Sequence, residues 1–69
     1  MGPFIPPEYS QAEQKDVKFE GVLYTVVTGR INAGARAGDR QIIWINGAYP
    51  FRYTAEARAG LAKLTNARD

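Results

Sequence analysis

The sequence predicts an α+β domain: a small antiparallel sheet of three to four strands with one C-terminal helix packed on one face. Strand-like, β-branched and aromatic runs recur between Val17 and Tyr53, helical spacing begins only after Thr54, and neither βαβ alternation nor an internal repeat intervenes. A small closed barrel with a terminal helix is the alternative architecture, because strongly curved strands would also absorb the apolar residues.

Val17 and Phe19 alternate with Lys18 and Glu20 before Gly21 interrupts. Glu20-Gly21 is therefore either a tight turn that folds Val17–Phe19 onto the run Val22–Thr28 or a bulge in one continuous strand. The run itself, V-L-Y-T-V-V-T, is rich in the residues that favour strands. From Gly29 to Arg40 (G-R-I-N-A-G-A-R-A-G-D-R) three glycines and three arginines read as a mobile loop. Asn46-Gly47 then lies between two β-prone runs, Arg40–Ile45 and Ala48–Tyr53, which predicts a type I′ hairpin turn. Pro50 cannot donate to a ladder, so the second arm belongs at a sheet edge.

The helix is expected over Ala55 to Ala67. Thr54 is a suitable N-cap and Glu56 suits the positive end of the helix dipole. Ala57, Leu61 and Leu64 form a narrow apolar stripe, and Gly60 beside Ala57 permits close approach to the sheet, leaving Arg58, Lys63 and Arg68 to face water. Residues 1–16 contain three prolines and a polar run without periodicity, and read as a disordered arm ahead of a single domain at 17–69. Within the arm, Pro6-Pro7-Glu8-Tyr9 matches the short pattern that WW domains bind, and Phe4 and Ile5 are available to tuck onto the body.

Composition argues against catalysis. The 69 residues include no cysteine and no histidine, and the lone serine, Ser10, falls in the arm. Asp16, Glu20, Asp39 and Glu56 show no spacing suited to a carboxylate dyad or a metal cage. Gly34-Ala35-Arg36-Ala37-Gly38 lacks the ending and the strand-to-helix setting of a phosphate loop. No catalytic, cofactor-binding or metal-ligating residue is expected. No apolar run is long enough to span a bilayer, and the opening residues lack the pattern of a signal peptide, so a cytoplasmic location is expected.

Binding is the better expectation. Ile42 and Trp44 alternate with Ile43 and Ile45, which places large apolar groups on both faces of a strand in a chain too short to cover both. An aromatic left on the open face is a contact candidate, and Tyr24, Trp44 and Tyr49 are the ones favoured. Arg30, Arg36, Arg40 and Arg52 gather in and beside the loop and hairpin, opposed locally by Asp39 alone. Such a cluster suits an acidic patch on a protein or the phosphates of DNA or RNA. Residues 17–69 carry eight basic and four acidic groups, a low excess for a dedicated nucleic-acid binder, while residues 1–16 are acidic on balance.

The strand K-F-E-G-V-L-Y-T-V-V, the Gly/Arg loop, the W-I-N-G segment and the terminal helix together resemble, in layout, the small early proteins with which bacteriophages take over host machinery. The likeness is to their RNA polymerase inhibitors above all. It implies a non-catalytic protein in the host cytoplasm that binds host RNA polymerase and hinders engagement of the sigma factor. Anti-CRISPR proteins share this size and style, and a nucleic-acid-binding module using the sheet face and the loop arginines is the other reading.

Overall fold

The computed structural model describes residues 5–47 and 54–68. An open three-stranded antiparallel sheet in the order β1-β2-β3 is formed by β1 (Tyr9–Phe19), β2 (Val22–Ile31) and β3 (Arg40–Gly47), and the helix α1 (Ala55–Leu64) packs on one face. Among the described residues β1 and β3 do not pair with each other, so the sheet stays open: the α+β reading holds and the barrel does not.

The β1–β2 connection is the tight turn. Phe19 pairs with Val22, and the intervening Glu20 and Gly21 have φ of 50° and 80°. Positive φ at both central residues is what a turn matching the right-handed twist of a hairpin requires, and Gly21 adopts it without a Cβ penalty.

Residues 9–16 depart from the expected disordered arm, because β1 begins at Tyr9 and Glu13–Asp16 pair with Thr25–Thr28. Nothing in their own composition favours a strand. Pairing to an apolar β2 supplies the order, and contacts at the far end hold it. The Tyr9 hydroxyl donates to Gln41 Oε1 at 3.0 Å, Asn32 N–H donates to the Glu8 carbonyl at 2.9 Å, and Asn32 Nδ2 donates to the Pro7 carbonyl at 3.0 Å. A register shift between Ser10 and Glu13 marks a β-bulge there, with Gln11 at φ 50°.

The expected mobile loop is also shorter and tighter. β2 continues to Ile31, and residues 32–39 are closed by Ile31 N–H to the Asp39 carbonyl at 2.9 Å and Gly38 N–H to the Ile31 carbonyl at 2.8 Å. Asn46 and Gly47 do not reverse the chain at that point. They extend the β2–β3 ladder opposite Thr25 and Tyr24, since β2 still offers partners and ladder bonds outweigh local turn preference. The proposed second arm, Ala48–Tyr53, lies outside the described residues.

Alternation along β2 assigns the faces. Tyr24 and Val26 pack with Ile42 and with Ala57, Leu61 and Ala62 of α1, while Val17, Phe19, Val22, Ile45 and Ala67 border this core. Thr54 caps α1 as expected, its Oγ1 accepting from Ala57 N–H at 3.1 Å. The helix ends earlier than expected. Asn66 takes φ 56°, its N–H donates to the Lys63 carbonyl at 3.3 Å, and Ala67 N–H donates to the Ala62 carbonyl at 2.8 Å. These are the two bonds of a Schellman turn, and Ala67 supplies its apolar contact. The turn sends Arg68 alongside β3, where its N–H donates to the Arg40 carbonyl at 2.8 Å and its carbonyl accepts from Ile42 N–H at 3.2 Å.

Gly60 is where the helix touches β1, for a Cβ added there would overlap the ring of Phe19. Propensity alone would reward Gly60→Ala by about 1 kcal/mol. Steric overlap should win. Displacing a half-buried ring costs about 1–3 kcal/mol, so thermal unfolding of Gly60→Ala should come at a lower temperature than that of the parent chain.

Candidate binding surfaces

The face of the sheet away from α1 is built from the alternate set of side chains. Leu23 lies across from Lys18; Thr25 across from Asp16 and Asn46; Val27 across from Gln14 and Trp44. No described element covers this face. Leu23 is 52% exposed and Trp44 39%, whereas Val27 is buried beside its cross-strand neighbours. Toward the other end of the face, Ile43 and Tyr9 close over Gly29, where an added Cβ would stand 2.6 Å from Ile43 Cδ1 and 3.0 Å from Tyr9 Cβ. Ile43 reaches that position because a register shift between Val27 and Thr28 inserts one extra residue in β3, so that Thr28 pairs with Ile42 and Val27 with Trp44.

Trp44 is thus on the open face, as expected of a contact residue. Tyr24 is not: it is 2% exposed and belongs to the core. Its place in β2 puts it in register with Val26 and Val17, under the helix, and the narrow Ala/Leu stripe brings the helix close enough to cover it. Tyr49 and Arg52 lie outside the described residues.

The arginines converge at the end of the sheet where β2 finishes and β3 begins. Arg30 and Arg40 are directly opposite each other in the ladder. Both reach the bulge of β1: Arg30 Nε donates to Gln11 Oε1 at 2.9 Å, and Arg40 Nη1 donates to the Gln11 carbonyl at 3.2 Å. Arg30 Nη1 also donates to the Gly38 carbonyl at 2.8 Å, and Arg40 Nη1 to the buried hydroxyl of Thr28 at 2.9 Å. The remaining contacts centre on Asp39. Arg36 Nε stands 4.0 Å from Asp39 Oδ2, and Arg68 Nε 3.1 Å from the same atom.

Arg68 was not legible as a member of this group. The sequence places it just past the expected helix, facing water, and only the Schellman turn carries it across to β3. Exposed ion pairs of this kind contribute little to stability. The bonds of Arg40 to uncharged acceptors matter more, because one of them satisfies the hydroxyl of Thr28, a residue only 3% exposed. Arg40→Ala should therefore lower stability by about 1–3 kcal/mol, the range for stripping a partner from a buried polar group. Urea unfolding checks it; an unchanged midpoint would return Arg40 to the binding surface.

At the opposite end, beside the Glu20-Gly21 turn, a cavity of about 230 Å³ is lined by Phe19, Glu20, Val22, Tyr24, Thr54, Glu56 and Ala57. Among the described residues, Arg30, Arg36, Arg40 and Arg68 thus gather at one end, and Glu20 and Glu56 line the cavity at the other. Among the described residues no three carboxylates converge on a point that would hold a metal ion, every buried side-chain polar atom has a hydrogen-bond partner, and no helix is long and apolar enough to cross a membrane. What the described residues offer chemically is contact: two exposed apolar side chains, Leu23 and Trp44, on an otherwise mixed sheet face, and a guanidinium-rich rim. No protein-family model, no curated protein sequence and no solved structure matches this chain.

Proposed function

We propose that the chain is a non-catalytic regulator that acts by docking on a larger protein complex in the cytoplasm of a bacterial host, with RNA polymerase as the partner and sigma-factor engagement as the step hindered. The observation that carries a docking role is the pair Leu23 and Trp44, large apolar groups exposed on the sheet face opposite α1. Buried aromatic anchors dominate protein interfaces, and a charged rim adds steering. The polymerase as partner rests on the likeness in layout to phage host-takeover proteins.

Trp44 is the single tryptophan, so its fluorescence reports contact directly. Purified bacterial core polymerase should change that emission and should lose sigma binding as the chain is added. Trp44→Ala should weaken the complex by about 30-fold, the equivalent of a 2 kcal/mol anchor, while leaving thermal unfolding nearly unchanged. Absence of any complex with core or holoenzyme sinks the polymerase reading, and unchanged affinity in Trp44→Ala sinks the open face.

The arginine-rich end favours nucleic acid as a second reading. Arg30 and Arg40 already donate within the fold, which reduces what a phosphate backbone could engage. Salt separates the two readings. A complex that neutralises several phosphates loses affinity steeply between about 50 and 200 mM salt, and one anchored by Leu23 and Trp44 does not.

A further inference from the structure

Among the described residues, the outer edge of β1 is a long hydrogen-bonding surface that the fold does not use. β1 has eleven residues and pairs with β2 on one side only, and among the described residues no backbone group bonds to its other side between Ala12 and Phe19. Ser10–Asp16 are moreover exposed on both faces. The opposite edge of the sheet differs, since Arg68 covers part of β3. An open row of N–H and C=O groups is a template for another strand unless charge or proline blunts it. From Tyr9 to Phe19 there is no proline, and the charges Glu13, Lys15, Asp16 and Lys18 alternate in sign and cancel.

That charge order identifies the strand that fits. We propose that β1 pairs antiparallel with β1 of a second copy, about a two-fold axis passing through Gln14 and normal to the sheet. In such a pairing directly opposed residues lie on the same face, so position n meets a position of the same parity. With the axis at Gln14, Glu13 of each copy lies opposite Lys15 of the other, giving two cross-strand ion pairs. Moving the axis to Lys15 or Asp16 sets like charges against each other at the centre. Moving it to Val17 brings together the ends at which α1 packs on Phe19, and both helices lie on the same side of the joined sheet. The bulge at Gln11 limits the pairing stretch at its other end and so helps fix the register.

The product is a continuous six-stranded sheet in which the strand exposed on both faces becomes interior. This inference does not rest on the polymerase reading. Sedimentation equilibrium of the full chain at low salt tests it. The mass should rise with concentration from 7.6 kDa toward twice that value. Glu13→Lys or Lys15→Glu alone should weaken dimerisation by about tenfold, since each places like charges at two symmetric contacts, and the double exchange Glu13→Lys with Lys15→Glu should restore it. Both positions are exposed, and amide spectra of each variant confirm that it folds. A chain that stays at 7.6 kDa at millimolar concentration overturns the proposal. So does a dimer that ignores both single changes, or one that the double exchange fails to rescue.

Discussion

Leu61→Ala should leave a largely unfolded chain, whereas Leu64→Ala should be close to neutral. The two leucines sit three residues apart on one helix, and apolar spacing alone gives them the same role. Burial separates them: Leu61 is 1% exposed and Leu64 52%. The buried arc of the helix runs through Ala57, Leu61, Ala62 and Thr65, which leaves Leu64 on its rim at the last turn. Truncating a buried leucine costs about 2–5 kcal/mol, and a core of this size supplies little more than that. An exposed one changes stability by less than about 0.5 kcal/mol. Far-ultraviolet circular dichroism through a thermal ramp reads both. Two equally cooperative transitions would mean that α1 is not anchored through Leu61.

Removing residues 1–16 should be nearly as damaging. The deletion takes away Tyr9–Asp16, most of β1, and with it the partners of Val26 and Val27 and both acceptors that Gln11 offers to Arg30 and Arg40. Val26 is fully buried, so losing its flanking strand opens the core to water. A loss of at least about 2 kcal/mol is expected, or a fall of about 8–16 °C in the unfolding midpoint for a domain this small. A truncated chain that melts with the parent would show that the first half of β1 is dispensable. Deleting only residues 1–4 tests a different matter, since those positions lie outside the described residues.

What could be read from the sequence was whatever a short window decides. Glu20-Gly21, the β-branched run after it, the Thr54 cap and the small residues Ala57 and Gly60 on the helix each depend on a few adjacent residues. What escaped was set by distant pairing. Glu13–Asp16 are polar and weak strand formers, and their order comes from β2. Asn46-Gly47 has the preference for a turn but stays in the ladder because β2 is long enough to accept it. Of the surface candidates, Trp44 lies on the open face and Tyr24 under the helix, a division set by which face α1 covers and therefore invisible to alternation alone. Arg30, Arg36 and Arg40 do come together, joined by Arg68, although part of their hydrogen-bonding capacity is turned inward.

The bonds of Arg68 tie the end of α1 to the start of β3 across 28 positions of sequence. Packing joins the helix to β1 and β2, and the Schellman turn with its short bridge joins it to the third strand. The helix is in effect latched at both sides of the sheet, so it has no low-energy way to peel off alone. Subglobal opening should be rare. Amides of Leu61, Thr65 and Ile42 should therefore exchange with solvent at one common free energy, that of whole-domain unfolding, rather than as a loose helix over a stable sheet.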